Sequence, residues 1–203
     1  MLKYIRYDLQ IIGNFIKPNS KVLDLGCGDG TLLEYLKLTK NVIPYGVEIS
    51  EKGIEKCIEK GVPVFQGDID EGLLDYKNNS FDYVILSQTL QVTKKPYKVL
   101  MEMLRVGKKC IVSFPNFGYL TIRLYLLFKG RMPKVKFLPY NWYDTPNIHH
   151  LTIQDFYIFC KENNIRILKK VFLNFSLKKN KIIKFLPNIF AQYGIFMITK
   201  NNK

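Results

Sequence analysis

The stretch of sequence that decides the fold is residues 21–31, KVLDLGCGDGT. Its first part, Lys21 to Gly26, is mostly apolar and predicts a buried strand, and Thr31 to Thr39 has the hydrophobic spacing of a helix. The connection between them contains three glycines, Gly26, Gly28 and Gly30. Because glycine has no Cβ, the backbone there can turn tightly and come close to a ligand. The segment therefore predicts a strand, a glycine turn and a helix beside a binding site.

Strand-like and helix-like segments alternate beyond this turn. The predicted elements are a strand at Val42 to Glu48, a helix at Glu51 to Lys60 closed by Gly61, strands at Val64 to Gln66 and Phe81 to Ser87, a helix from about Pro96 to Arg105, and a strand at Lys109 to Phe114. Alternation of this kind, with nearly continuous apolar strands, favours an α/β fold with a parallel sheet and helices on both faces.

The last third of the chain has a different pattern. Its predicted elements are an apolar helix at Gly118 to Lys129, a loop at Met132 to His150, a helix at Thr152 to Asn163, and strands at about Ile167 to Phe175 and Tyr193 to Thr199. Thr152 suits the N-cap of its helix and Asp155 the first turn. The two strands lack a clear crossover helix, so we expect an antiparallel pair at the sheet edge, with the Lys-rich insertion at 178–184 between them.

The length of 203 residues fits one domain, residues 1–203. Within it we expect an amphipathic N-terminal helix at 1–17, a cofactor-binding core at 18–115, and a C-terminal half at 116–203 that carries the insertion and the edge strands.

The spacing of the turn indicates which cofactor it binds. The pattern is Gly-x-Gly-x-Gly, whereas dinucleotide sites use Gly-x-Gly-x-x-Gly around a pyrophosphate. Asp24 lies two residues before the first glycine, where a carboxylate would repel a pyrophosphate but suits a cationic ligand. S-adenosylmethionine (SAM) carries a sulfonium and an ammonium group. The turn therefore favours SAM, or its product S-adenosylhomocysteine, over a nicotinamide cofactor.

Two more acidic residues complete the predicted cofactor site. Glu48 ends the second strand, where a carboxylate can accept hydrogen bonds from both ribose hydroxyls. Asp68 follows the third strand and can accept from an adenine amino group while the Ile69 N–H meets the ring; it also suits a helix N-cap. The expected cofactor contacts are Asp24, Gly26, Cys27, Gly28, Gly30, Glu48, Ile49, Asp68, Ile69, Ser87 and Gln88.

Seven segments carry a resemblance to known families. They are VLDLGCGDGTLL, YGVEIS, GVPVFQGDIDEGL, FDYVILSQTLQ, VSFPNFGY, RLYLLFKGRMP and WYDTPNIHHLT. Over about residues 18–115 the chain resembles the class I SAM-dependent methyltransferases, and over nearly its whole length it resembles the MetW family of methionine biosynthesis proteins. The resemblance implies a Rossmann-like, seven-stranded sheet whose last strand is antiparallel. It also implies a partner, homoserine O-acetyltransferase.

No catalytic residue is evident. Methyl transfer can rely on positioning alone, and a base after the fourth strand is optional. That segment here is SQTLQ, residues 87–91, and a glutamine cannot act as a base near neutral pH. The adjacent histidines, His149 and His150, make a shared metal site improbable, so we expect no metal. Two roles stay open for them, a base over the SAM pocket or hydrogen bonds that hold the loop. The candidates for contacts with an acceptor or a partner are Gln91, Tyr140, Trp142, Tyr143 and His149.

Composition and charge limit the remaining functions. The spacing of the four cysteines fits neither a disulfide framework nor a zinc site, and predicts free thiols in a reducing cytosol. The apolar stretch from Phe117 to Phe128 is too short to span a bilayer. The net charge is +14, and from Arg123 onwards there are 15 Lys/Arg against 3 Asp/Glu. A basic surface can attract nucleic acid, but no RNA-binding or recognition-helix pattern accompanies it.

Three functions remain open from the sequence. The first is an accessory or regulatory subunit of methionine synthesis that binds SAM and contacts the acyltransferase. The second is a free-standing SAM-dependent methyltransferase that acts on a small molecule. The third, a nucleic-acid methyltransferase or binder, depends only on the basic C-terminal part. We expect a cytoplasmic protein.

Overall fold

An eight-stranded sheet lies at the centre of the computed structural model, which describes residues 5–175 and 180–201. The strands are β1 Lys21–Leu25, β2 Ile43–Glu48, β3 Val64–Gln66, β4 Phe81–Ser87, β5 Gly107–Pro115, β6 Ile165–Phe175, β7 Asn180–Ile182 and β8 Tyr193–Lys200. The helices are α1 Tyr7–Phe15, α2 Thr31–Lys40, α3 Glu51–Glu59, α4 Pro96–Val106, α5 Leu120–Lys129, α6 Ile153–Glu162 and α7 Pro187–Phe190, with a 3-10 turn at Leu90–Val92.

The strand order is β3-β2-β1-β4-β5-β8-β6-β7. Strands β1 to β5 are parallel, β8 is antiparallel to both β5 and β6, and β7 is antiparallel to β6. This confirms the predicted α/β class and the antiparallel last strand. The strand count of seven was wrong, because β7 adds an eighth. Its three residues, Asn-Lys-Ile, are too few for an alternating pattern to be detected.

The C-terminal predictions are confirmed for the residues that the structure describes. Strands β6 and β8 form the expected antiparallel pair. Helix α6 begins with a capping box, in which Thr152 Oγ1 accepts from the Asp155 N–H and the Asp155 carboxylate accepts from the Thr152 N–H. Part of the Lys-rich insertion, residues 178 and 179, lies outside the described residues, and its remainder includes β7.

The core consists of two apolar layers, one on each face of the sheet. Alternate strand residues point to opposite faces, so Val22 contributes to one layer and Leu23 to the other. Helices α1 and α2 cover the first layer, whereas α4 and α6 cover the second. Among the helices in the described part of the chain, none is long and apolar enough to cross a bilayer.

The strand order places a crevice above β1. This strand has β2 on one side and β4 on the other, so the chain changes direction across the sheet at this point. The carboxyl ends of parallel strands meet at one edge, and ligands of open α/β sheets bind where the strand order reverses. The glycine turn follows β1 directly and therefore lies in this crevice.

Candidate functional site

The glycine turn adopts the left-handed backbone conformation at all three glycines. The φ angles of Gly26, Gly28 and Gly30 are 68°, 57° and 72°. A Cβ added to Gly26 would meet Thr89 at 2.8 Å, and one added to Gly30 would meet Cys57 Sγ at 2.9 Å. A Cβ on Gly28 would meet no described atom within 4 Å. Packing therefore excludes side chains at the outer two positions, whereas Gly28 borders open space that a ligand can fill.

Glu48 holds the turn in place from the end of β2. Its Oε2 accepts from the Gly28 N–H at 2.8 Å, and its Oε1 accepts from the N–H groups of Ile49 and Ser50 at 3.0 and 2.9 Å. A carboxylate has about four acceptor positions, so capacity remains for a ligand hydroxyl. Helix α3 packs closely against the glycine turn, because a Cβ added to Gly53 would lie 2.8 Å from the Gly28 carbonyl oxygen.

Asp24 places a carboxylate in the crevice that lacks a full set of hydrogen-bond partners among the described residues. It is buried at the end of β1, and its Oδ1 accepts no hydrogen bond from any residue that the structure describes. Burial, with the nearby Glu48 carboxylate, raises the pKa of Asp24 to about 8. A buried carboxylate without a partner is costly. A cationic ligand beside it would remove this cost, which is the property that the sequence predicted for this position.

The open space around these residues forms two pockets that share Gly26. One has a volume of about 370 Å³ and the other about 380 Å³. The first is lined by Gly26, Val47, Glu48, Ile49, Gly67, Asp68, Ile69, Asp70, Thr89, Val92, Thr93 and Lys94. The second is lined by Ile5, Arg6, Leu9, Asp24, Gly26, Cys27, Gly28, Asp29, Thr31, Leu32, Ser87 and Gln88. All predicted cofactor contacts except Gly30 line one of the two pockets.

The arrangement of charge along this two-pocket cleft fits SAM. One pocket contains the Glu48 and Asp68 carboxylates, which are acceptors for ribose and adenine groups. The other contains Asp24, whose ionised form would suit a cationic group, and Gly28, whose missing side chain leaves room. The roles of these residues as SAM ligands remain predictions.

The sequence reasoning missed Asp70, which shapes the first pocket. Its two carboxylate oxygens accept from the N–H groups of Lys94 and Lys95 at 2.8 and 2.7 Å, just before α4. Asp68 Oδ1 accepts from the Asp70 N–H at 2.9 Å. The two aspartates therefore connect the segment after β3 to the segment before α4. The repeated Asp in Gly67-Asp68-Ile69-Asp70 was the available signal.

A third cavity, of about 570 Å³, adjoins the Asp24 pocket and shares Arg6 and Gln88 with it. It is lined by Arg6, Tyr7, Asp8, Gln88, Lys136, Phe137, Phe175, Gln192 and Tyr193. Arg6 donates to both Asp8 oxygens, at 3.2 and 2.8 Å. Burial raises the pKa of Tyr193 to about 12. Neither Asp8 nor Tyr193 is therefore set up as a free base near neutral pH.

The predicted acceptor or partner contacts lie outside this cavity. Gln91 is buried, and its carbonyl oxygen accepts from the N–H groups of Ile148 and His149 at 2.8 and 3.0 Å. Gln91 Oε1 and His149 Nε2 have no hydrogen-bond partner among the described residues. Tyr140 and Trp142 line a small hollow of about 30 Å³, and Tyr143 is exposed beside them. Their predicted contacts with an acceptor or partner are not tested by this geometry.

All four cysteines are buried free thiols. Their spacing in sequence shows no close pair, yet Cys27 Sγ and Cys57 Sγ lie 3.8 Å apart under the glycine turn. Burial raises the pKa of Cys27 and Cys57, which keeps both as unreactive thiols. Within the part of the chain that the structure describes, no cluster of three His, Cys, Asp or Glu side chains is arranged to hold a metal ion.

Comparison with known sequences identifies relatives of the whole chain. The family model described as methionine biosynthesis protein MetW matches residues 6–198. The bifunctional methionine biosynthesis protein MetXA/MetW of Rhodopirellula baltica is 32% identical to the chain over 209 residues. This alignment covers 98% of the chain and 33% of the relative, so the chain spans about a third of the length of that protein.

Solved structures show that the fold is that of SAM-dependent methyltransferases. One from Archaeoglobus fulgidus has a TM-score of 0.71 and 19% identity, covering 95% of this chain and 91% of that one. The magnesium protoporphyrin IX methyltransferase of Synechocystis, determined with bound S-adenosylhomocysteine, has a TM-score of 0.67 and 15% identity, covering 98% and 90%. At these identities the likeness shows the fold alone.

Proposed function

The chain belongs to the MetW family of methionine biosynthesis proteins, and on that premise we propose that it binds SAM and acts as an accessory or regulatory subunit of homoserine O-acetyltransferase. Its place of action in this proposal is the cytoplasm. SAM is made from methionine, so a SAM-binding subunit can report the state of the pathway to an enzyme near its beginning.

The observation that carries SAM binding is the buried Asp24 carboxylate. Its unpartnered Oδ1 and raised pKa mean that no described residue supplies a compensating positive charge at this position. The cationic end of SAM would supply that charge, while Gly28 leaves room for the ligand to approach the backbone. A neutral ligand would leave the Asp24 carboxylate without a compensating charge. A pyrophosphate would be repelled by it.

Each residue of the cleft has a defined part in holding SAM under this proposal. Asp24 pairs with the cationic end, Glu48 accepts from the ribose hydroxyls, and Asp68 accepts from adenine while the Ile69 N–H meets the ring. When bound, SAM supplies a methyl group activated by its sulfonium. Ser87 and Gln88 line the Asp24 pocket, and Gln88 also lines the adjoining cavity.

Two observations support the accessory role. In the described lining of the adjoining cavity, Arg6 occupies both oxygens of Asp8 and burial raises the pKa of Tyr193 to about 12, so neither side chain is a ready proton acceptor there. The R. baltica relative is named as a bifunctional MetXA/MetW protein, so in that protein the two functions share one chain. Components that are fused in one organism are reasonable partners in another.

The decisive experiment measures acetyl transfer to homoserine by the acyltransferase of the same organism. Initial rates are recorded with and without this protein, across a range of SAM concentrations. We expect the protein to change the rate, and SAM to modulate that change by a coupling free energy of about 1–3 kcal/mol. A rate that does not respond to the protein contradicts the accessory role. A rate that responds to the protein but not to SAM contradicts only the regulatory part.

The cavity of about 570 Å³ favours a second candidate, a methyltransferase acting on a small molecule. It shares Arg6 and Gln88 with the Asp24 pocket, so an acceptor there would lie beside the methyl group. Positioning without a base can supply much of the rate. The test is production of S-adenosylhomocysteine from SAM in the presence of a metabolite extract. Activity that is abolished by Gly28→Trp supports this candidate, and its absence leaves the accessory role.

A further inference from the structure

Helix α5 presents apolar side chains to solvent. Of its ten residues, all of which the structure describes, Ile122 alone is buried. Leu124, Leu127 and Phe128 are 41%, 73% and 76% exposed. Their i, i+3, i+4 spacing places them on one face of the helix, and Ile122 points the other way. A surface helix usually buries its apolar face, whereas α5 exposes an apolar face to solvent.

The exposed apolar face continues into the loop after α5. Met132 and Tyr140 are about half exposed, and Trp142 is 75% exposed. Met132, Tyr140 and Trp142 line one shallow hollow, which connects the end of α5 to the aromatic part of the loop. We name the set Leu124, Leu127, Phe128, Met132, Tyr140, Trp142 and Tyr143 the α5 surface. A contiguous apolar patch of this kind marks an interaction site more often than single exposed apolar residues do.

Charge on α5 and on the loop up to Tyr143 is positive, and the exposed Asp144 directly follows this stretch. Between Glu102 and Asp144 the sequence contains no acidic residue. Five basic residues lie on α5 and the loop that follows it, Arg123, Lys129, Arg131, Lys134 and Lys136. A second copy of the chain would bring the same positive rim against it, and like charges across an interface cost free energy. The complementary surface is therefore an apolar groove with an acidic rim on a different protein.

We propose that the α5 surface is the docking site for the acyltransferase, with the outward face of α5 lying in an apolar groove of that enzyme. This inference rests on the proposed function, which supplies the partner. Helices that bind in grooves use anchors at i, i+3 and i+4, the spacing of Leu124, Leu127 and Phe128. The bifunctional R. baltica relative favours this occupant over a lipid surface, because it is named for a MetXA function beside the MetW function.

The experiment compares two double variants of the full-length protein for binding to the purified acyltransferase. Leu127→Ser with Phe128→Ser removes two anchors. Leu38→Ser with Leu74→Ser is the matched control, since these leucines are 64% and 82% exposed and lie elsewhere on the surface. Both variants should keep the unfolding temperature and SAM affinity of the wild type. We expect the α5 variant to bind the acyltransferase at least about 30-fold more weakly, because buried anchors dominate interface energies, and the control to bind normally.

The possible outcomes separate this inference from the proposed function. If the wild type itself does not bind the acyltransferase, the accessory role fails and the docking site with it. If the α5 variant binds as tightly as the control, the docking site is overturned and the accessory role stands. Two further results would also overturn the docking site while acyltransferase binding persists in the α5 variant. Loss of sedimentation with phosphatidylcholine–phosphatidylglycerol vesicles would favour a membrane, and loss of self-association would favour a second copy of the chain.

Discussion

At the residue scale, we predict that Asp24 makes the proposed SAM binding dependent on pH. Its pKa is raised to about 8 in the free protein, and a cationic ligand beside it would lower that pKa. Protonation at lower pH removes the charge that attracts the ligand, so affinity should fall as the pH falls below 8. Calorimetric titration from pH 7.5 to 5.5 measures this fall, which approaches about tenfold per pH unit at its steepest.

The Asp24→Asn variant is the control for that titration. The amino group of SAM titrates as well, and the ratio of wild-type to variant affinity cancels its contribution. We expect this ratio to decrease as the pH is lowered. A ratio that stays constant over the range would mean that Asp24 does not pair with the cationic end of the ligand.

Gly28 allows a test of the cleft with a closely matched control. Gly28 and Gly130 share a φ of 57°, and a Cβ at either position would meet no described atom within 4 Å. Tryptophan at either position should therefore cost a similar backbone strain of about 1–2 kcal/mol. Only Gly28 lines the cleft, so Gly28→Trp should abolish SAM binding in calorimetry while Gly130→Trp retains it. Equal affinities in the two variants would exclude the pocket beside Gly28 as the ligand site.

At the scale of the elements, the sequence predicted those helices, strands and turns whose formation depends on a local residue pattern. The β1–turn–α2 unit was predictable because its strand is mostly apolar and its three glycines mark a tight turn. The cavity beside the Asp24 pocket was not predictable. Arg6 precedes α1, whereas Phe175 and Tyr193 belong to β6 and β8, and no local spacing relates the three residues. The contact between Cys27 and Cys57 could not be predicted from the sequence for the same reason. Contacts between distant segments depend on the packing of whole elements.

Asn116 connects four such elements and was not recognised in the segment VSFPNFGY. It is fully buried at the end of β5. Its Nδ2 donates to the carbonyl oxygens of Asn188 and Ala191 around α7, and its Oδ1 accepts from the N–H groups of Gly118, before α5, and Ile153, in α6. One amide thus satisfies four backbone groups. In addition to the pairing of β5 with β8, this one polar side chain therefore ties the segments around α5, α6 and α7 to the end of β5.

Removing this amide should destabilise the protein strongly. Asn116→Ala leaves several buried backbone groups unpaired, and we expect the free energy of unfolding to fall by about 2–4 kcal/mol. Asn163→Ala is the comparison, because the Asn163 side chain makes one hydrogen bond, to the Phe159 carbonyl oxygen at 2.9 Å. That variant should lose only about 0.5–1.5 kcal/mol. Urea unfolding measures both, and similar losses would show that Asn116 has no special part in joining the elements.

At the scale of the whole molecule, the binding cleft is maintained at a cost in stability. Asp24 ionises at about pH 8 in the folded chain and at its ordinary value of 3.8 when unfolded. Between these values the folded state holds a proton that the unfolded state has released. The stability that Asp24 contributes is therefore complete below pH 3.8 and is lost as the pH rises to about 8, by about 1.4 kcal/mol per pH unit. Many binding sites are destabilising in this way, because a group placed for a ligand is poorly compensated without it.

The free energy of unfolding should consequently depend on pH through this one residue. Urea unfolding at pH 6 and pH 8 compares the wild type with Asp24→Asn, so that the titration of all other groups cancels in the difference. From pH 6 to pH 8 the wild type should lose about 2–3 kcal/mol relative to the variant. Saturating SAM should reduce this loss in the wild type, because its cationic end compensates the ionised carboxylate that folding buries. If wild type and variant change in parallel with pH, then Asp24 ionises normally in the folded protein, and its burial cannot be what selects a cationic ligand.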